Sequence, residues 1–287
     1  EFIVENPDFQ FTLFQNIRNS LSPKKDAIET AIAKARFEWI ITTDADCIVP
    51  KKWLMNSDAF IQNNPVKMIV APVAYTIENK FLDHFQNLDF ISLQGTTIGS
   101  FGINRPFMCN GANLCYAKQV FKTVNRFDGN DEIASGDDVF LMEKILKAFP
   151  DQVQYLKNFE SVVKTRPQPD LTSLLHQRIR WAAKMGSTNY LFGKIVGIIV
   201  FMANIYWIFL LFLALFQQIS WQYVGLFFLV KLNVDFVLLY STTEFFREKE
   251  SMRKYLYSSF IYPFFSVYVA VASLFKGYSW KGRTFKK

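Results

Sequence analysis

The chain has 287 residues, of which 51% are hydrophobic and 31 are phenylalanine. This composition excludes a disordered or collagen-like chain, and the length allows one large domain or two ordinary ones. The net charge of +7 is uneven, because residues 1–185 hold 21 basic and 21 acidic side chains, whereas residues 186–287 hold 11 and 4. Since the positive excess lies in the most apolar third, we predict a lipid bilayer, and not nucleic acid, as its partner.

Cysteine and histidine usage restricts the possible metal and redox chemistry. Cys47, Cys109 and Cys115 form no CxxC pair and are odd in number, so neither a disulfide framework nor a thiolate metal site is indicated. His84 and His176 lie far apart in sequence, which disfavours a histidine-rich zinc site and predicts two ordinary polar residues. A reducing, cytosolic setting is therefore expected for the part of the chain that contains the three cysteines.

The first 185 residues alternate helical and extended patterns. Apolar residues recur at helical spacing from Ala27 to Arg36, a β-rich run covers residues 39–43, and residues 68–75 read as another strand. This alternation predicts an α/β domain with a mostly parallel sheet covered by helices.

An amphipathic helical stripe follows these strands. Leu82, Phe85, Leu88 and Ile91 recur at intervals of three, so they share one helix face. The stripe could pack in the core or lie on a bilayer surface, and core packing is the prediction.

The last third contains three apolar stretches. Residues 195–216 carry no charge over 22 positions, enough for a helix to cross a hydrocarbon core of about 30 Å. Tyr255 to Phe275 is also uncharged but contains Pro263, which predicts a kinked span or a re-entrant pair of half helices. Between them, residues 219–240 are apolar except for a few polar side chains.

Two of those polar residues, Lys231 and Asp235, are charged and lie one helical turn apart. Ionisable groups inside a membrane are costly and often face a substrate path. The simpler interpretation, which we favour, is a mutually neutralising pair on a buried helix face.

The charges flanking the apolar stretches bear on topology. Basic segments at residues 177–184, 247–254 and 276–287 each favour the cytoplasmic side of a membrane. Three complete crossings cannot satisfy all three segments. We therefore expect either the last stretch not to cross fully or the middle one to be irregular.

A pair of carboxylates follows the first predicted strand. Asp44 and Asp46 would emerge together at its carboxyl end, where open α/β sheets bind ligands, and strand alternation points both side chains the same way. Hard oxygen ligands suit Mg²⁺ or Mn²⁺ together with a substrate diphosphate. The alternative is two solvated acids in a surface loop.

A second acidic pair, Asp137 and Asp138, precedes a helical pattern from Phe140 to Ala148. Such a pair can simply cap the helix and complement its dipole. The functional interpretation is a general base whose proton affinity is raised by its acidic neighbour and by partial burial.

A third group lies on a helix predicted from Leu171. Gln177, Arg180 and Trp181 share one face of it. Arginine pairs with phosphate oxygens and tryptophan offers a flat surface to a sugar ring, so the group suits a phosphorylated sugar. The alternative is an anchor at a membrane interface.

Together these motifs resemble the membrane-bound family 2 glycosyltransferases, which include cellulose, chitin and hyaluronan synthases and ceramide glucosyltransferase-like enzymes. The resemblance covers nearly the whole chain. The matching segments are Pro23–Ile28 for GKxxAL, with proline in place of the usual glycine, Asp44–Asp46 for DxD, Asn110–Asn113 for the acceptor-side glycine segment, Asp137–Asp138 for ED, Gln177–Trp181 for QxxRW, and Trp280–Arg283 for a frequent tail.

The resemblance implies a Rossmann-like GT-A catalytic domain over residues 1–185 and a helical membrane region over residues 186–287. In this assignment Asp44 and Asp46 hold the metal and the donor diphosphate, and Lys24 lies near the nucleotide. The donor would be a nucleotide sugar.

The resemblance also implies the remaining roles at the transfer site. Asp138 would be the base, with Asp137 as the neighbour that tunes it, and Arg180 would neutralise the leaving diphosphate. The acceptor side would be formed by four residues, namely Asn110 and Gly111 in the wall of the sugar pocket and Gln177 and Trp181 at the mouth of the membrane part.

The family's domain usually opens with further strands and a membrane helix, whereas this sequence reaches Lys24 within about two dozen residues. We therefore expect the amino-terminal part of the domain to be missing. The predicted function is inverting sugar transfer to a lipid or polysaccharide acceptor, by an integral protein of the cell (inner) membrane with its catalytic domain in the cytoplasm. The alternative is a non-catalytic transporter or scaffold.

Overall fold

The structure is a computed structural model that describes residues 12–78, 80–129, 136–186, 188–275, 277–280 and 283–285. Within these ranges the α-helices are α1 Pro23–Lys34, α2 Trp53–Asn63, α3 Phe81–Gly102, α4 Lys118–Thr123, α5 Asp137–Ala148, α6 Leu171–Gly186, α7 Leu191–Leu215, α8 Trp221–Phe246 and α9 Tyr255–Phe275. The strands are β1 Trp39–Thr42, β2 Met68–Val70, β3 Val73–Tyr75, β4 Leu114–Ala117, β5 Val153–Tyr155, β6 Val163–Thr165, β7 Tyr278–Trp280 and β8 Arg283–Phe285.

The main sheet is mixed and not mostly parallel as predicted. Its strand order is β1-β4-β2-β5, with β4 antiparallel to both of its neighbours and β2 parallel to β5. The alternation of helix and strand along the chain could not reveal β4, because its partners come from segments far away in sequence. Helices α1 and α5 pack with this sheet around fully buried side chains such as Met68, Tyr116, Met142 and Ile145.

The segment predicted as one strand over residues 68–75 forms two strands in different sheets. β2 joins the main sheet, and β3 pairs in parallel with β6. Pro72 separates them, because proline has no N–H to donate to a ladder. The side-chain amide of Asn113 donates to the Pro72 carbonyl at 2.8 Å and holds the chain at this break.

Helix α1 begins at Pro23, four residues before the predicted start, and ends at Lys34 instead of Arg36. Proline is favoured in the first turn because its missing N–H would have no partner there. The earlier start brings Lys24 into the first turn of the helix.

The amphipathic stripe lies on α3, and its side chains Phe85, Leu88 and Ile91 are buried. The prediction of core packing is confirmed. Part of their partner surface is the apolar third of the chain, because Leu88 and Ile91 cluster with Leu239 of α8 and Tyr255 of α9. Helix α3 therefore belongs to both halves of the molecule.

In the part of the chain that the structure describes, three helical segments are long and apolar enough to cross a membrane, namely Leu191–Leu215, Trp221–Phe246 and Lys249–Phe275. The last consists of a 3₁₀ segment, Lys249–Lys254, followed by α9. Helix α9 is continuous through Pro263, so the alternative of two half helices is wrong.

Residues near both ends of helix α9 contact helices of the first half of the molecule. Near its start, Tyr255 packs with Leu88 of α3, and near its end, Val269 packs with Ile179 of α6. The two strands β7 and β8 that follow α9 form an antiparallel pair. Both ends of α9 thus contact helices of the first half of the molecule, while its middle packs on α7 through Trp207.

The predicted ion pair between Lys231 and Asp235 is formed, with Nζ and Oδ2 2.5 Å apart. The Lys231 side chain is largely buried, whereas that of Asp235 is 39% exposed. Mutual neutralisation lowers the cost of placing two charges on an otherwise apolar helix.

Helix α3 packs so closely on α8 at Gly95 that a side chain there would collide. A Cβ atom on Gly95 would lie 2.3 Å from the Thr242 hydroxyl and 2.9 Å from Leu238 Cδ1. Gly99, one turn later on the same helix, has nothing within 4 Å of such an atom.

We expect Gly95→Ala to lower the free energy of unfolding by about 1–3 kcal/mol because it forces α3 and α8 apart. The matched control Gly99→Ala should be neutral or stabilise by up to about 1 kcal/mol, since alanine favours the helix more than glycine does. Thermal unfolding of both variants in detergent measures the difference. Equal midpoints would show that α3 does not pack on α8 in this way.

Candidate active site

Residues from three separate segments meet around the ammonium group of Lys24. Its Nζ lies 3.0 Å from Asp44 Oδ1 and 3.1 Å from Asp137 Oδ2. Lys24 comes from the first turn of α1, Asp44 follows β1, and Asp137 begins α5. Because one lysine bridges two of the predicted acidic motifs, the structure brings these motifs to one place.

Gly111 contacts the residues of this cluster through its backbone. Its N–H donates to Asp138 Oδ2 at 3.1 Å, and its carbonyl accepts from the Thr42 hydroxyl at 3.0 Å. A Cβ atom on Gly111 would lie 3.5 Å from both Asp137 Oδ2 and Lys24 Nζ. The absence of a side chain therefore leaves the approach to the acids open.

Asn110 has a local structural role. Its Oδ1 accepts from the N–H of Ala112 at 3.0 Å and caps the 3₁₀ turn Gly111–Asn113. The segment predicted to shape a sugar pocket thus lies at the site, with Gly111 in contact with the acids and Asn110 fixing the turn.

Asp138 is bound by a lysine that the sequence motifs did not single out. Lys184 Nζ lies 2.9 Å from Asp138 Oδ1, and both side chains are nearly buried. Burial alone raises the pKa of Asp138, but Lys184 and Lys24, with the N–H of Val139, outweigh it and lower the pKa to about 2. The Asp138 side chain is therefore ionised at neutral pH.

The expected rise in proton affinity falls on the other acid of the pair. Burial raises the pKa of Asp137 more than Lys24 lowers it, and the Asp138 carboxylate raises it further. The sequence does not decide which acid of the pair has the raised proton affinity; in the structure it is Asp137, because Lys184 binds Asp138 and not Asp137.

Helix α6 carries the third predicted group. Arg180 is half-buried and lies one helical turn before Lys184, which places it on the face that reaches Asp138. The ring of Trp181 packs against a cluster that includes Ala112, next to Gly111. The Gln177 side chain accepts from the Tyr75 hydroxyl at 3.4 Å.

Arg178, between Gln177 and Arg180, is the buried arginine of this helix, with 4% exposure. Its Nε lies 2.5 Å from Asp89 Oδ2 on α3, and its guanidinium lies 4.4 Å from the centre of the Trp181 ring. It also contacts the side chain of Gln177. Arg178 therefore holds both the glutamine and the tryptophan of the motif in position.

The sequence motifs did not identify three residues of this site, namely Lys184, Arg178 and Tyr75. Lys184 carried a usable signal, since it lies four residues after Arg180 and must share its helix face. Arg178 was indicated indirectly by its partner Asp89, because an acid beside a buried apolar stripe needs a basic partner. Tyr75 had no such signal.

The remaining predicted residues are more peripheral. Asp46 is exposed on the same turn as Asp44, two residues further on. His84 behaves as an ordinary polar residue, with Nδ1 3.2 Å from the Ser251 hydroxyl. The tail motif 280–283 falls on the β7–β8 hairpin, and its residues 281 and 282 lie outside the described part of the chain.

The acids suit a divalent ion only in part. Among the described residues no group of three or more histidine, cysteine or acidic side chains is arranged to hold a metal. Asp44 and Asp46 supply two carboxylates on one turn, which are the hard oxygen ligands that Mg²⁺ and Mn²⁺ prefer. These residues fit such an ion provided that a diphosphate supplies further oxygens.

A family comparison bears on this site. The family described as "Glycosyl transferase family group 2" matches residues 39–275, which include Asp44, Asp138 and the Gln177–Trp181 motif. The chain belongs to this family. The family is one of glycosyltransferases, and the predicted GT-A domain followed by a region of apolar helices is confirmed.

The other comparisons add little. No curated protein matches the chain. Among solved structures, the chain is similar to one titled "Crystal Structure of a Mycobacterial Protein", with 14% identity and a TM-score of 0.36. The similarity covers 60% of this chain and 54% of that one, so the chain spans about half the length of its structural neighbour.

We expect Lys184→Met to lower the free energy of unfolding by about 3–5 kcal/mol near pH 7, because it leaves the Asp138 carboxylate nearly buried with one cation fewer. The loss should shrink as the pH falls from about 4 towards 2, since protonation of Asp138 removes the charge that needed a partner. Denaturant unfolding at several pH values measures it.

Lys147→Met, at an exposed position on α5, is the matched control and should change stability little at any pH. A loss in Lys184→Met that stays constant between pH 7 and pH 3 would contradict the ion pair with Asp138.

Proposed function

We propose that this glycosyltransferase moves a sugar from a nucleotide-sugar donor to a lipid or glycan acceptor at a membrane, with inversion at the anomeric carbon. The observation that carries the proposal is the meeting of three acids around Lys24 and Gly111, within a chain of this family. Asp44 and Asp137 bind Lys24, and Asp138 accepts from the N–H of Gly111. A single active centre requires such a meeting of distant motifs.

The donor end of the site lies at Lys24 and the turn after β1. Asp44 and Asp46 are the proposed ligands of Mg²⁺ or Mn²⁺, which when bound would neutralise charge on the donor diphosphate. Lys24 then exchanges its carboxylate partners for a phosphate oxygen. Arg180 is proposed to stabilise the negative charge that develops on the leaving nucleotide diphosphate.

Asp138 is the proposed general base. With a pKa of about 2 it is ionised but weakly basic in the absence of substrate. A donor diphosphate that draws Lys24 away removes one of the cations that depress this pKa, so the carboxylate becomes a better base when the donor is present. The acceptor hydroxyl gives its proton to Asp138, and its oxygen attacks the anomeric carbon opposite the diphosphate.

The acceptor end is proposed to lie at Trp181. The Arg178 guanidinium covers one face of the Trp181 ring and keeps it in place, and the remaining surface would meet a sugar or the polar end of a lipid. This wall faces the helix α3, which packs on the apolar helices.

We expect Asp138→Asn to reduce the turnover of sugar transfer by about 100- to 10,000-fold, because the amide cannot accept the proton of the acceptor hydroxyl. Turnover of a radiolabelled nucleotide sugar in detergent measures the effect. Donor binding, measured by calorimetry with and without Mn²⁺, should remain.

Asp151→Asn, at an exposed position, is the matched control and should transfer sugar at the normal rate. Near-normal turnover by Asp138→Asn would remove this residue from the role of base.

We further propose that α7 and α8 cross the inner membrane and return, while α9 stays on the side of the catalytic domain in the cytoplasm. The contacts of both ends of α9 with α3 and α6 support this arrangement. It also places the basic segments 177–184, 247–254 and 276–287 on one side, as the distribution of positive charge favours.

In sealed inside-out vesicles, an impermeant maleimide should label Lys249→Cys and Gly277→Cys but not Gln217→Cys, which lies between α7 and α8. The parent protein, with its native cysteines, sets the background. Labelling of Gly277→Cys only after the vesicles are opened would show that α9 crosses the membrane.

A further inference from the structure

The two carboxylate oxygens of Asp138 have different partners. Oδ1 accepts two hydrogen bonds, from Lys184 Nζ at 2.9 Å and from the N–H of Val139 at 2.8 Å. Oδ2 accepts one, from the N–H of Gly111 at 3.1 Å. A carboxylate oxygen has two lone pairs, so the hydrogen bonds within the described part of the chain occupy both on Oδ1 and leave one open on Oδ2.

Oδ2 lies beside a residue that has no side chain. A Cβ atom on Gly111 would lie 3.4 Å from Asp138 Cβ and 3.5 Å from Asp137 Oδ2. The Asp138 side chain also keeps 12% of its surface exposed. The space that a side chain at position 111 would fill is thus available to an acceptor hydroxyl.

Lys184 reaches Asp138 past a second glycine. Its side chain is 13% exposed, and a Cβ atom on Gly136, the residue before α5, would lie 3.0 Å from Lys184 Cδ. Gly136 also has a φ of +86°, a conformation that favours glycine. The stem of Lys184 is therefore confined between α6 and the start of α5, which keeps its ammonium group on Asp138.

The titratable and charged groups that face the Asp138 carboxylate come from α1, α5, α6 and the segment before β4. They are Lys24, Asp137, Lys184 and the buried thiol of Cys109, with Arg180 one turn before Lys184 on α6. Lys24 is the cation that the proposed donor diphosphate draws away. Lys184 then remains as the cation in contact with the carboxylate.

We propose that Lys184 is a positioning residue for sugar transfer, which holds Oδ1 of Asp138 so that Oδ2 is the oxygen that takes the proton of the acceptor hydroxyl. The O–H bond of the acceptor breaks and its proton goes to Oδ2, while the acceptor oxygen forms the new bond to the anomeric carbon. The bond from that carbon to the diphosphate breaks, and its electron pair leaves on the diphosphate oxygen. The inference rests on the proposed function and adds to it a residue and the reacting atom of the base.

Lys184 has two separable effects on the base. Its hydrogen bond orients the carboxylate. Burial raises the pKa of Asp138, and the positive charge of Lys184 lowers it. Arginine at position 184 keeps both the hydrogen bond and the charge, glutamine keeps only a hydrogen-bond donor, and methionine keeps neither.

The test measures kcat of the full chain in detergent as a function of pH, with a radiolabelled nucleotide sugar. Lys184→Met should lower kcat about 10- to 100-fold near pH 7, because a carboxylate that is free to rotate is seldom oriented for proton transfer. The acidic limb of its pH profile should move up by about 1–3 pH units, since the charge that lowered the pKa of the base is gone. The KM for the donor should not change, because Lys184 binds the base and not the donor.

Lys184→Gln should show the same shift of the acidic limb with a smaller loss of kcat, because it keeps a donor but no charge. Lys184→Arg should keep the acidic limb of the wild type. Should Lys184→Met fail to fold, the comparison of Lys184→Gln with Lys184→Arg gives the test alone, with the folded fraction of each set by donor-binding calorimetry. Lys147→Gln, at an exposed position on the helix of Asp138, is the matched control and should keep both kcat and the profile.

An acidic limb that stays at the pH of the wild type in Lys184→Gln would overturn the proposal, whatever the variant does to stability. Failure of the proposed function is a separate outcome. If Asp138→Asn is inactive and the Lys184 variants keep the profile of the wild type, Asp138 stands as the base and Lys184 is only its structural partner. If Asp138→Asn transfers sugar at a near-normal rate, the assignment of the base fails, and the role of Lys184 fails with it.

Discussion

The buried ion pair between Asp89 and Arg178 joins the two halves of this glycosyltransferase. Asp89 lies on α3, which packs on the apolar helices, and Arg178 lies on α6, which carries Trp181 and the lysine that binds Asp138. Removing one partner of such a pair typically costs about 3–5 kcal/mol, because the other charge stays buried. The position of the catalytic face relative to the apolar helices therefore depends on this contact.

A second constraint is the balance of charge at the active site. Three carboxylates, those of Asp44, Asp137 and Asp138, meet two lysines, Lys24 and Lys184. Because these carboxylates outnumber the two lysines, a divalent ion bound at Asp44 would reduce the local negative charge. The same lysines keep the acids from repelling one another before substrate binds.

The acids of the candidate active site, the helices that begin near them and the apolar helices could be predicted from the sequence, because each depends on local pattern. Residues 68–75 have the pattern of one strand, but Pro72 within them is a sequence signal for the break between β2 and β3. The antiparallel position of β4 could not be predicted, since strand pairing depends on contacts between distant segments. The low pKa of Asp138 was missed for the same reason, because Lys184 reaches it from 46 residues away.

Helix α3 has 22 residues and is about 33 Å long at the usual helical rise. Its contacts with α6 at Asp89 and with α8 at Gly95 lie six residues, about 9 Å, apart along one continuous helix. The distance between the candidate active site and the apolar helices is therefore set by a continuous helix and not by a hinge. An acceptor held by the apolar helices would have to extend its reactive group over that fixed distance.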